Sequence, residues 1–224
     1  MGTFNATVAS SNDNALERAV NYFFTKTPVA DLGAGLISGE SGAGGPSWFW
    51  CPGVRFNNVT VAQGATITSA KITYTGRVTD VPLGYDQTIY GDDVDDSVNF
   101  VDNANIISRT RTTASASWTT PIVTTADTEF DTADLTSIVQ EIVDRAGWAS
   151  GNDMTFMSIT TAGTADNNGA DVYYYANSTT KCAKLTIVYA DATAIKTVDG
   201  LAKASVKTVD GLAIASVKTW NGLA

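Results

Sequence analysis

Residues 54–76 read VRFNNVTVAQGATITSAKITYTG, and their alternation decides the fold class. Val54 and Phe56 fall on one side of an extended chain, Arg55 and Asn57 on the other. Further along, Ala70, Ile72 and Tyr74 alternate with Lys71, Thr73 and Thr75. A period of two with one apolar face is the pattern of a half-buried antiparallel strand. The stretch reads as two strands joined by a tight corner at Gln63-Gly64. What precedes and follows is expected to supply a second sheet for their apolar face.

Working outward, many short extended segments flank this pair. Residues 86–91 (DQTIYG) read as a strand, followed by the acidic run Asp92, Asp93, Asp95 and Asp96 and ending at Phe100. Residues 106–118 are extended, with Ala114, Ala116 and Trp118 on one face. Residues 154–161 (MTFMSITT) and 172–175 are further strands, separated by the turn Asp166-Asn167-Asn168-Gly169, and 184–189 (KLTIVY) closes the domain. Upstream, 7–10 is a short strand and 11–14 a polar turn. Residues 15–24 fit an edge strand or a short helix equally well. The glycine-rich segment 32–46 reads as a flexible loop.

One helix is expected, over 135–146. Leu135, Ile138, Val139, Ile142 and Val143 recur at the spacing of a single apolar stripe. Asp131, Thr132 and Asp134 stand at its start as caps and dipole partners, and Gly147 stands where a left-handed terminating residue belongs. Its expected place is a lid on one end of the sandwich. Val54, Phe56, Ile72, Tyr74, Ile138, Ile142, Leu185 and Ile187 are the expected core. The reading is all-β: a jelly-roll β-sandwich over 1–190 with one amphipathic helix, plus a C-terminal β-repeat tail over 191–224.

Composition narrows the function classes. The hydrophobic fraction of 44% supports a real core, and a net charge of −9 argues against nucleic acid, whose phosphates need Lys/Arg patches. The chain has no His, the commonest general base and metal ligand. It also lacks the GxSxG, P-loop and HExxH motifs, so a non-enzymatic role is expected. The start, MGTFNATVAS, has no basic or long apolar run of a signal peptide, and no segment approaches the ~20 apolar residues of a membrane span. Cytoplasmic synthesis is expected, with the product reaching a virion or an exterior surface by lysis, by loss of a signal, or as part of a particle. Cys51 and Cys182 fit either a disulfide between the first and last strands or two buried thiols.

Three groups of candidate site residues emerge. Asp92, Asp93, Asp95 and Asp96 offer hard oxygen ligands for calcium, with Asp13 or Asp86 as additional donors; a solvated acidic loop is the other reading. Trp48, Trp50, Tyr85 and Tyr174 are candidates for stacking on sugar rings, and core or rim packing is the alternative for each. The tail repeats KTVDGLAKASV, KTVDGLAIASV and KTWNGLA from Lys196 onward. Asp199-Gly200, Asp210-Gly211 and Asn221-Gly222 are turn pairs of the hairpin type, so the tail reads as a small meander or solenoid coil. Val198, Leu201, Val209, Leu212 and Trp220 are its expected assembly residues, joining copies of the chain or other virion or surface proteins.

The segments VRFNNVTVAQGATITSAKITYTG, IYGDD, ISRTRTTASASW, DLTSIVQEIVDRAGWASG and KLTIVY together resemble a jelly-roll module of the carbohydrate-binding type, the DNRLRE-like group. The resemblance covers roughly residues 5–190. It implies an adhesion or display module and supplies no ligand-contact residues. The KTVDGLA repeats are similar to C-terminal tracts of phage virion proteins. The expected function is a structural or display protein, a phage virion decoration or fibre component held by its repeats. The alternative is a carbohydrate-binding module for surface glycans.

Overall fold

The two strands of the 54–76 stretch lie in different sheets. In the computed structural model they span Trp48–Phe56 and Thr66–Thr75, and residues 57–65 cross from one sheet to the other. Gly64 makes that crossing possible, with φ of 68° in the left-handed region that glycine tolerates. The stretch therefore supplies both facing layers itself, where its alternation alone suggested a pair sharing one sheet. The structure describes residues 1–20, 23–28, 36–41, 48–77, 86–100, 106–159, 168–191, 197–198, 201–202, 208–209 and 212–213.

In chain order the elements are β1 (Gly2–Thr7), a 3₁₀ turn (Ser11–Asp13), β2 (Asn14–Val20), β3 (Phe23–Pro28), β4 (Leu36–Ser41), β5 (Trp48–Phe56), β6 (Thr66–Thr75), β7 (Asp86–Asp92), β8 (Arg111–Thr119), β9 (Glu129–Asp131), α1 (Thr136–Val143), β10 (Met154–Ile159), β11 (Asn168–Val172) and β12 (Lys184–Ala190). The tail adds β13 (Thr197–Val198), β14 (Leu201–Ala202), β15 (Thr208–Val209) and β16 (Leu212–Ala213). One sheet has the order β1-β12-β6-β9. The other runs β5-β10-β7-β8. Strand β2 lies along one side of β5 and carries β3, while β4, carrying β11, takes residues 48–50 on the other side. Every pairing is antiparallel.

Several expectations change. Residues 15–24, open between strand and helix, contribute to the hairpin β2–β3. The first strand is β1, upstream of residues 7–10. The segment 32–46 contains β4 rather than loop throughout, and β11 begins at Asn168, inside the expected turn. Residues 106–109 turn before β8 begins at Arg111.

The expected core holds throughout: Val54, Phe56, Ile72, Tyr74, Ile138, Ile142, Leu185 and Ile187 are all buried in one cluster. Burying such a side chain fully is worth about 1.5–3 kcal/mol. Phe56 and Phe156, on neighbouring strands, meet edge to face with centroids 6.2 Å apart. Burial also pushes the Tyr74 phenol above its ordinary range.

Helix α1 is shorter than expected and closes the open side between the sheets, rather than one end. Its consecutive residues Gln140 and Glu141 each clasp a different sheet. Gln140 accepts from the Ile67 N–H at 2.8 Å and donates to the Ala65 carbonyl at 3.0 Å. Glu141 accepts from the Thr113 and Ala114 N–H groups at 2.7 Å each, covering the start of the β8 edge. At the helix start Asp134 accepts from both the backbone and the hydroxyl of Thr136, which holds its carboxyl below the ordinary value. Asp131 belongs to β9 and pairs with Lys71, and the Thr132 hydroxyl accepts from the Ile72 N–H. Gly147 is not left-handed. A β-carbon there would overlap the Asp95 carboxylate, so close approach explains this glycine. Among the described residues no helix is long and apolar enough to cross a membrane.

Candidate functional site

The acidic run lies where β7 ends, beside the start of β10 and the exit from α1. Asp92 is 5% exposed. It accepts from Arg109 Nη1 at 2.6 Å and from the Ser97 hydroxyl at 2.7 Å. Ser97 in turn shares a 2.8 Å hydrogen bond with Thr155. Arg109 also donates to the Val98 carbonyl at 2.9 Å, and its guanidinium stands 4.6 Å from the centre of the Phe100 ring. Asp93 and Asp95 both pair with Arg145, just beyond α1. These bonds, that to Asp95 foremost, raise the guanidinium pKa. Asp96 accepts from the Asp153 N–H at 2.8 Å.

A third arginine extends the network to the N-terminal turn. Arg55 bridges Asp13 and Asp153, donates to Asn57 Oδ1 at 2.7 Å, and donates through Nε to the Ser97 carbonyl at 2.7 Å. Asp13 is 1% exposed and Arg55 11%. Buried charges persist only when paired and hydrogen-bonded, and here nearly every polar atom of Arg55 has an acceptor. The acidic residues proposed as cation ligands are thus brought together, but around guanidinium groups. Asp13 joins them through Arg55. Asp86 does not: it lies at the far end of β7 and accepts from Thr119. No group of metal-ligating side chains converges among the described residues. The melting temperature is accordingly expected to be the same in EDTA and in excess Ca²⁺. A rise with Ca²⁺ in a thermal scan would favour the cation reading instead.

Sequence reasoning missed Arg55, Arg109, Arg145 and Asp153. Their partners lie far away along the chain, beyond the reach of any local spacing rule. The one local signal is Gly147, which leaves room for Asp95.

The sugar-stacking candidates do not form one described surface. Tyr174 is 6% exposed and belongs to the core, so it offers no ring face to a ligand. The strand ends at Val172, and the following tyrosines leave strand alternation: Tyr173 N–H donates to the Thr75 carbonyl, while Lys181 stands over its ring. Trp48 and Trp50 occupy the N-terminal half of β5, paired with β2 and β4. Tyr85 lies outside the described residues. An unforeseen aromatic cluster joins the sheets instead: Tyr74 stacks on Trp118 at 5.9 Å, and Phe130 lies within 6.3 Å of both.

In the tail, Val198 pairs with Leu201 and Val209 with Leu212, each across an Asp-Gly. Among the described residues of the tail, pairing occurs within a repeat. Trp220 lies outside the described residues. Cys51 and Cys182 are both buried thiols, not a disulfide. Desolvation pushes the Cys182 thiol up and away from reactive thiolate. Across the strand pair from Cys51 sits Glu17, whose carboxylate accepts from the Ile106 and Ile107 N–H groups at 2.7 and 2.8 Å.

The site as described is an ion-pair clamp. It ties the N-terminal turn, β5, the 92–100 loop, the exit from α1 and the entry to β10 into one end of the sandwich. Comparison of the chain with protein-family models and with curated proteins gave no match, so the fold and these residues carry the functional argument.

Proposed function

We propose that the chain is a non-enzymatic display module of jelly-roll type: a virion decoration or fibre component carried by its repeat tail. The wiring supports the jelly-roll reading. Ordered along the chain, β1, β5, β6, β7, β8, β9, β10 and β12 distribute as first, eighth, third and sixth in one sheet, and second, seventh, fourth and fifth in the other. That is the interleaving of two Greek keys, and it agrees with the resemblance to DNRLRE-like modules. The hairpin β2–β3 and the long-range pair β4–β11 are then additions at the second strand.

The observation that carries the proposal is where the repeat tract departs. Ala190 ends β12, an inner strand held by β1 on one side and β6 on the other. A pull on the tail is therefore borne by two ladders at once. The tail carries the charge of four lysines against Asp191, Asp199 and Asp210, so the negative charge resides in the domain. Near-neutral ribbons approach one another with less repulsion than the acidic faces of the domains do. Truncation after Ala190 is expected to leave a cooperatively folding β domain that no longer builds the higher assembly or attaches to a particle. Native mass and negative-stain microscopy check this, and assembly at the full-length stoichiometry would refute it.

A further inference from the structure

We propose that β1 is a docking edge for a second copy of this chain, forming a two-fold pair that continues the four-stranded sheet across the dyad. This contact is separate from the tail. The other edge of that sheet, β9, is three residues long and carries Glu129 and Asp131, both engaged by lysines. The edge of β8 is covered at its start, where Glu141 accepts from the Thr113 and Ala114 N–H groups. Short length, charge and a covering side chain are the usual protections of a sheet edge. Among the described residues strand β1, GTFNAT, has none of them: six residues, no charge, no proline and an unbroken register with β12. It stands last in its sheet among the described residues.

The backbone geometry sets the register in which a second copy pairs. Val8 N–H donates to the Ala183 carbonyl at 3.1 Å, next to the Thr7–Lys184 pair. The alternation of an antiparallel ladder then turns the N–H and C=O groups of Thr3, Asn5 and Thr7 away from β12. A second β1 meets these groups when Asn5 of one copy stands opposite Asn5 of the other, and Thr3 opposite Thr7. In that register Phe4 faces Ala6, so both apolar residues stay on the core side; a slip of one residue would put them on the wrong face. Charge points the same way. Copies of a chain with net charge −9 repel through most of their surface, and an uncharged strand is where they meet with least repulsion.

Cross-linking and sedimentation of the full chain test this. Directly opposed residues in a hydrogen-bonded pair have Cα atoms about 5.5 Å apart, within disulfide range. Asn5→Cys is expected to give a covalent dimer on mild oxidation, while Ser69→Cys, exposed on the outer face of β6, gives none. Asn5→Lys places two ammonium groups across the dyad and is expected to raise the dimer dissociation constant at least tenfold, while thermal unfolding of the protomer changes only by the loss of one exposed hydrogen bond, from the Thr186 hydroxyl at 2.9 Å. The proposal is overturned if Asn5→Cys links no faster than Ser69→Cys, or if Asn5→Lys sediments like the parent at every concentration.

Discussion

Replacing Arg55 with alanine is expected to lower the free energy of unfolding by about 3–5 kcal/mol, the cost of leaving a buried charge without its partner. The stranded group is Asp13, 1% exposed, whose remaining neighbours are Ser10 and Asn57. Asp153 and the Ser97 carbonyl lose a donor in the same step. Lysine cannot repair this, because one ammonium does not present the planar fork that reaches Asp13, Asn57, Asp153 and Ser97 together. Exchanging Asp13 and Arg55 jointly for apolar residues should cost less than the single change, since no charge is then left buried. Urea titration followed by circular dichroism measures all three. A loss below ~0.5 kcal/mol for Arg55→Ala, the range of ordinary surface substitutions, would show that water, not the clamp, solvates these carboxylates.

Ile142→Ala is the second large effect, at about 2–5 kcal/mol through the cavity it leaves. Ile142 is 1% exposed and fills the notch made by Gly91: a β-carbon on Gly91 would stand 2.6 Å from Ile142 Cδ1 and 2.9 Å from Ile138 Cγ2. Helix and sheet thus approach closely where Ile142 and Ile138 meet Gly91. Gly91→Ala should destabilise as well, from the opposite direction, by overpacking. Unfolding midpoints in urea distinguish a packed helix from a surface one: an unchanged midpoint for Ile142→Ala would mean that α1 does not hold the two sheets together.

Period-two alternation was enough to identify β5, β6 and β12 and which of their residues face inward, because burial acts on each residue where it stands. It was not enough to say that β5 and β6 belong to opposite sheets. A crossing connection and a hairpin both need a turn, and Gln63-Gly64 serves either. The helix was legible from its apolar stripe, but its clasping residues Gln140 and Glu141 were not, since their partners at 65–67 and 113–114 are set by packing. The acidic run was conspicuous in the chain, while its counter-charges are scattered over 55, 109 and 145 and acquire meaning only in three dimensions. Tyr174 misled because three tyrosines in succession suggest an alternating strand, whereas the strand stops at Val172.

The pairing of Gly2 with Tyr189 has a consequence for how the protein is made. Strand β12 lies between β1 and β6, so neither can complete its ladder until almost the whole domain has left the ribosome. At about 5–20 residues per second, synthesis of the chain occupies roughly ten to forty seconds. During that time β1 waits with both sides unpaired. Its lack of charge, which suits it to meet a second copy, also exposes it to wrong partners on neighbouring nascent chains. Crowded polysomes are therefore the setting in which this fold is most prone to misassembly, and slower initiation should raise its soluble yield.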